Sequence, residues 1–207
     1  MMRSTDINET VEQFWSWIQE HKAKLDSLTD TSDPLWDMCL SKLQAVNRGL
    51  WFELSSPDGD EREFIITAES RSELFPIVEK IVSCAPRLND WRFISLKPPR
   101  GFAFKTKYEG IPLDPNSMSF LPLEKSGEPK ILGLRIGVPS FAETARTQIT
   151  TGVMIILETA LGERAFATDI QYVEVCPIPE KPEAEGFFPL ADLPDYISWR
   201  NRKLGLK

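Results

Sequence analysis

The apolar residues of this 207-residue chain change their period part-way along it, and that change constrains the fold more than any other feature. Ile7, Val11, Phe14, Ile18, His21, Leu25 and Leu28 step by threes and fours, which places them on one face of a helix. From Leu50 the period becomes two. Leu50, Phe52 and Leu54 alternate with Trp51 and Glu53, and Phe64, Ile66 and Ala68 alternate with Ile65 and Thr67. Ser56-Pro57-Asp58-Gly59-Asp60 between the two runs is hairpin-turn chemistry. A chain that opens on helices and turns to paired strands belongs to the α+β class.

The remaining segments fill in that class. Asp6 with Glu9 reads as a capping box for the first helix. Asp33-Pro34 opens a second helix with Trp36, Cys39, Leu43 and Val46 inward, and Gly49 suits its stop. The two helices form an N-terminal pair over 1–48. A third helix runs over 72–85, with Pro76 in its first turn, where a missing amide costs least. Strands are expected at 91–96, 102–108, 117–121, 131–138 and 166–175, with a polar link at 124–130. Ser140 with Glu143 reads as a second capping box, opening a long helix that Gly162 closes. Within it, Val153 to Leu157 is compatible with helix or buried strand. Four prolines mark an acidic connector from Pro177, and a short helix over 192–203 ends the chain. The expectation is a single domain over 1–207: a helical hairpin (1–48), an α+β core with a mainly antiparallel sheet (49–176), and a proline-rich connector with a terminal helix (177–207).

Composition narrows the class of function. There are 31 acidic against 24 basic residues, a net charge of −7, and an isoelectric point near 4.9. This argues against a nucleic-acid binder, which carries a basic footprint. The most apolar run, Val153 to Leu157, is far shorter than the ~20 residues of a membrane span. The start of the sequence shows no signal-peptide pattern. Three widely spaced cysteines in apolar surroundings, Cys39, Cys84 and Cys176, fit reduced thiols on core faces and a cytoplasmic location.

Few residues suggest chemistry. His21 is the only histidine, and its place on the helix seam reads as a half-buried core residue with one ring nitrogen satisfied. No cysteine–histidine spacing fits a metal site, and no glycine loop fits a phosphate. No catalytic residue, metal or cofactor is therefore assigned. Gly133 and Gly137 flank Arg135 on one strand face, which favours close packing of a helix over a ligand floor. Glu53 and Glu63 could face each other across the hairpin as an acid–base couple. Lys97, Arg100, Lys105 and Lys107 form the one basic cluster; Arg100, between Pro99 and Gly101, is the sharpest candidate for gripping an oxyanion. Trp51 lies opposite Leu50 and Phe52. A sheet covered on both faces is the favoured reading of it; the alternative is an exposed aromatic available to a partner. Trp15 and Trp17 cannot share one helix face, so at least one covers a further surface.

Several ordered blocks resemble a bacterial domain-of-unknown-function family. They are Phe14-Trp15-x-Trp17, Gly49-Leu50-Trp51-Phe52-Glu53, Glu73-Leu74-Phe75-Pro76, Ala85-Pro86-Arg87-Leu88-x-x-Trp91, Pro99-Arg100-Gly101, Leu161-Gly162-Glu163 and Leu193-Pro194-x-Tyr196. The resemblance implies no activity and carries over no site residue. In class, small acidic proteins of this kind are similar to cytoplasmic immunity proteins, which bind and block a toxin. The leading expectation is thus a soluble, non-catalytic binding protein for a protein partner or a small anionic ligand. Lys97, Arg100, Lys105, Lys107 and Trp51 are its candidate contacts. The alternatives are a metal-independent hydrolase built on Glu53, Glu63 and Arg100, and a homodimeric regulatory module.

Overall fold

A computed structural model describes residues 4–57, 61–125 and 127–206. It is α+β, and its strands fall into sheets that do not share a strand. The chain divides into two compact units, 1–97 and 98–207. That boundary falls inside the segment expected to be one core, because strands before Lys97 pair with one another and strands after Pro98 do likewise.

In the first unit, α1 (Ser4–Leu25) and α2 (Pro34–Val46) form the expected helix pair. Asp33 caps α2, its side chain accepting from the Leu35 amide, and Pro34 stands at the helix start. Two capping expectations change. α1 already includes Asp6, so Asp6–Glu9 is no capping box, and α2 ends at Asn47 rather than Gly49. Gly49 serves packing instead: a Cβ there would lie 2.6 Å from Leu74 Cδ1.

β1 (Trp51–Leu54) and β2 (Arg62–Thr67) are antiparallel, as their alternation predicts. The middle of the expected turn, residues 58–60, lies outside the described residues. α3 (Phe75–Ser83) then carries the chain to β3 (Trp91–Ser95), which pairs parallel to β2. A helix between two neighbouring strands of one sheet is a crossover, and this makes the sheet mixed rather than antiparallel. Phe52, Phe64, Ile66 and Phe93 share one sheet face in register. Phe14 and Trp15 of α1 pack on it: Trp15 lies 4.7 Å from Phe93 and Phe14 lies 6.2 Å from Phe64, while the Trp15 indole donates to the Ile81 carbonyl of α3. Burying each such ring contributes about 1.5–3 kcal/mol. Trp17 is also buried, its ring stacked 4.2 Å from His21, so α1 is covered on more than its seam.

In the second unit, β4 (Thr106–Tyr108) and β5 (Ile111–Leu113) form a hairpin, and a four-stranded sheet runs in the order β8-β7-β6-β9. Its strands are β6 (Ser119–Lys125), β7 (Glu128–Val138), β8 (Tyr172–Pro177) and β9 (Phe188–Pro189). β7 alternates as expected, with Leu132, Leu134, Ile136 and Val138 all buried. α4 (Arg146–Leu161) and α5 (Glu163–Asp169) connect β7 to the parallel β8, and α6 (Leu193–Leu204) follows. Val153 to Leu157 is helical, and Gly162 closes α4 with a φ of 80°.

Five expectations are corrected in this unit. The strand at 102–108 shortens to β4, because the Arg100 and Gly101 amides bond to the Thr159 and Ala160 carbonyls and Phe104 folds back on the Phe102 carbonyl. The polar link at 124–130 is largely strand, with a register shift at Glu124/Lys125. Ser140 is no helix cap; it sits at φ 53°, and α4 starts six residues later after a short 3₁₀ turn. Phe166–Asp169 is helix, not strand: Glu163 opens α5 where an acidic first turn is favourable, and Phe166 packs on the core of this unit. The tight face of β7 is explained by strand and loop neighbours rather than by a helix. A Cβ on Gly137 would meet Ile178 Cα at 3.2 Å, and one on Gly133 would meet Leu123 Cβ at 3.2 Å.

Candidate functional site

The basic cluster is spread over separate roles. Lys97 closes the first unit with its ammonium 3.4 Å from Glu53 and 3.0 Å from Glu69, its side chain only 16% exposed. The other three belong to the second unit. Arg100 is exposed on a loop fixed by its backbone bond to Thr159. Lys105 pairs with Asp114 at 3.0 Å, and that hydrogen bond, with those from Asn116, holds the Asp114 carboxyl below the ordinary range. Lys107 is exposed on β4. The Lys97 and Lys105 charges are thus already balanced by carboxylates. The same holds for the suspected acid–base couple: Glu53 is paired with Lys97 and Glu63 with Arg92. The two do not face each other as expected: Glu53 stands opposite Ile65 in the hairpin register, and Glu63 lies beside Arg92 of β3.

Trp51 is 46% exposed, although Ile65 and Thr67 on the same sheet face are buried. The favoured expectation of full cover on both faces therefore fails at β1, the edge strand of this sheet among the described residues. His21 sits as expected, half-buried with Nδ1 donating to the Trp17 carbonyl at 2.9 Å. All three cysteines are free. Cys39 is buried, and burial pushes its thiol far up. Cys84 was expected to face the core but is exposed, because α3 stops one residue before it. Among the described residues no group of three or more His, Cys, Asp or Glu could hold a metal ion, and no helix is long and apolar enough to cross a membrane.

The surface that stands out lies on α6 and β9. Phe188 is 47% exposed and Trp199 is 48% exposed, two large apolar rings where solvent contact is unfavourable. They belong to one continuous aromatic run. Phe188 stacks on Tyr196 with centroids 6.4 Å apart, Tyr196 meets Trp199 at 5.7 Å, and the buried Phe120 supports both Phe188 and Tyr196 from beneath at 5.6 and 5.5 Å. Rigid elements hold each ring. Phe120 and Phe188 are register partners in β6 and β9, and Tyr196 and Trp199 are three residues apart on one strip of α6. Lys203, one turn on, places Nζ 4.8 Å from the Trp199 centroid.

Carboxylates flank the rings. Burial raises the Tyr196 phenol, and the Glu124 charge raises it further, with Arg200 opposing. Asp192 and Asp195 are exposed one turn before Tyr196 and Trp199. The sheet edge beside this surface is closed to an added strand. Leu190 bonds to the Met118 carbonyl, so even-numbered residues of β6 point their backbone groups outward, and the next one past β9 is Pro122, which has no amide to offer. In the sequence Tyr196 and Trp199 fall within the short helix expected over 192–203, and neither was assigned to a site. The steps of three and four from Tyr196 to Trp199 to Lys203 were the legible signal, while Phe188 stood in a segment read as connector. Comparison of the chain with protein-family models, with curated proteins and with solved structures gives no match.

Proposed function

We propose that this is a non-catalytic binding protein, immunity-like in class, whose partner surface is the aromatic run Phe188–Tyr196–Trp199. The observation that carries the reading is the pair of half-exposed rings, Phe188 and Trp199, held on a strand and a helix rather than on a loose loop. Aromatic anchors dominate binding energy at protein interfaces because they bury much area and lose little side-chain freedom. The flanking Glu124, Asp192 and Asp195 favour a partner with a basic rim, and charge complementarity of that kind sets orientation and association rate. Side-chain recognition fits better than strand addition, because Pro122 blocks the edge.

A photoreactive phenylalanine analogue at position 199, expressed in the cells that make the protein, tests this. One discrete adduct with a second protein is expected, lost when Phe188→Ala is added and absent when the analogue is placed at Lys107. An adduct of two copies of the chain would assign the surface to a homodimer instead. Equal labelling from positions 199 and 107 would contradict a specific partner surface.

A further inference from the structure

We propose that the second unit also holds a site for a medium-chain fatty acid anion, in the cleft between α6 and the junction of α4 with α5. The cleft has a volume of about 440 Å³, within the ~300–1,000 Å³ range of small-ligand sites. It lies on a different strip of α6 from the aromatic surface and does not depend on the partner proposal. Pro194, Ile197, Ser198, Asn201 and Arg202 of α6 line it, recurring at three- and four-residue steps. At ~1.5 Å per residue the strip from Pro194 to Arg202 is about 12 Å long, roughly the length of an extended eight-carbon acid.

The cleft is graded along that length. At the start of α6, Pro194 and Ile197 face a floor made by Ala160 and Leu161, with Pro99 beside them. The Arg100 and Gly101 amides bond to the Thr159 and Ala160 carbonyls, which fixes the loop carrying Pro99 against this end of α4. The Ile197, Ala160 and Leu161 side chains are buried and present only carbon. The far end changes character. Asn201 is 6% exposed and donates its amide to Asp169 Oδ1 at 3.3 Å, so the end of α5 meets the end of α6 there. Arg202, the next residue, lines the same end from an exposed position and has no ion pair with a described residue.

The charges at that end decide the ligand's class. Asp169 accepts from Asn201 and has a further partner, so it makes no demand on a ligand. The guanidinium of Arg202 is the charge left to be answered. Asn201 and Arg202 are successive residues, ~100° apart around the helix axis, so Asp169 lies on the inner side of the strip and Arg202 on its solvent side. A carboxylate at the rim takes Arg202 in a charged hydrogen bond, a gain of about ten-fold or more in affinity. Repulsion from Asp169 costs about five-fold at 4 Å through water and less beyond, so the gain prevails. Ser198, exposed one turn before Arg202, adds a hydroxyl donor on the same side. The hydrocarbon chain then runs back over Leu161 and Ile197 toward Pro194. An alkylamine would set its ammonium against an unanswered guanidinium, and an alcohol would forgo the charged bond.

The test is a titration of the full-length protein followed by amide NMR, using octanoate, butyrate, octylamine and octanol. Octanoate is expected to bind with a Kd of about 1 mM or below and to shift the amides of Ala165, Ser198 and Arg202. Butyrate should bind at least about ten-fold more weakly, because each methylene laid on Leu161 and Ile197 adds about two- to four-fold. Octylamine and octanol should also bind at least about ten-fold more weakly than octanoate, the equivalent of one charged hydrogen bond. Arg202→Gln, at an exposed position, should weaken octanoate about ten-fold, leave octanol unchanged and keep the spectrum of the free protein. Ala165→Leu, which fills the cleft, should weaken octanoate and octanol alike. The proposal is overturned if octanoate leaves these amides unmoved or shifts those of Phe188 and Trp199 instead, if octylamine or octanol binds as well as octanoate, or if Arg202→Gln leaves octanoate affinity unchanged.

Discussion

Gly152→Ala sets two known effects against each other at one atom. In the interior of an exposed helix this change gains about 1 kcal/mol, because alanine is the better helix former. Gly152 is in the second turn of α4 but is buried, and an added Cβ would stand 2.3 Å from Leu113 Cδ1 and 3.3 Å from Tyr108 Cβ. Carbon atoms rest at ~3.5–4.0 Å, so the Leu113 methyl must withdraw by more than about 1 Å. Leu113 is 3% exposed and cannot swing into solvent, so it must leave its rotamer or lift the β4–β5 hairpin off α4. Overpacking of this kind costs about 1–3 kcal/mol, which outweighs the helix gain. The expected net is a loss of about 1 kcal/mol in urea unfolding followed by circular dichroism, with an unchanged slope. Trimming the obstacle should uncover the coupling: Gly152→Ala with Leu113→Ala should cost less than the two single changes together by about 1 kcal/mol. A Gly152→Ala variant more stable than the parent would refute the reasoning, because it would mean that the hairpin does not lie on this turn of α4.

Other variants test other contacts. Burial works to raise the Asp26 carboxyl, but hydrogen bonds from Lys22 and the Trp91 indole, aided by the Lys22 and Arg62 charges, hold it below the ordinary range. A depressed folded value contributes stability above the unfolded pKa near ~4 and loses it as pH falls through the folded value. Asp26→Asn should therefore be less stable than the parent at pH 7, with the gap closing by pH 3 in parallel denaturant titrations; a gap that widens in acid contradicts the pairing. Arg62 is buried and donates to the Leu28 carbonyl, with Nε and Nη1 lacking hydrogen-bond partners among the described residues. Arg62→Ala should cost about 2–4 kcal/mol by opening a cavity and orphaning a carbonyl, while Arg62→Met should recover about half by refilling the space. Equal losses in both would show that charge, not packing, matters there. In the native protein a thiol reagent should label Cys84 quickly and Cys39 only after unfolding, read by mass spectrometry; early labelling of Cys39 would place α2 in the wrong register.

How much of this was legible depended on how local the cause was. The seam of Phe14, Ile18 and Leu25, the Asp33-Pro34 cap and the alternation from Leu132 to Val138 are set by neighbours a few residues away, and the structure follows them. What could not be read arose from distant backbone. Phe102–Lys105 looks like strand until the Thr159 and Ala160 carbonyls take the amides just before it. Ser140 and Glu143 carry the right spacing for a capping box, but Ser140 turns left-handed and the helix waits for Arg146. Gly152, a weak helix former in sequence terms, is where the β4–β5 hairpin packs against α4 with no room for a Cβ. Part of the site was hidden for the same reason. The charge run from Lys97 to Lys107 was visible, but the partners that neutralise Lys97 and Lys105 come from Glu53, Glu69 and Asp114. Phe188 gains its place only by pairing with Phe120, about seventy residues earlier in the chain.

The central claim is that the aromatic run on α6 and β9 is where a partner binds. The direct measurement is the quantity of co-purifying protein retained by the parent, by Trp199→Ala, by Phe188→Ala and by Lys107→Ala, each at 50 and 500 mM salt. The account predicts one stoichiometric partner held by the parent and by Lys107→Ala and reduced at high salt, as screening shortens the reach of the flanking carboxylates. Each aromatic variant should lose it, at a cost of about 2 kcal/mol or more per anchor. A partner retained equally by Trp199→Ala and Phe188→Ala, or lost only with Lys107→Ala, would contradict the claim.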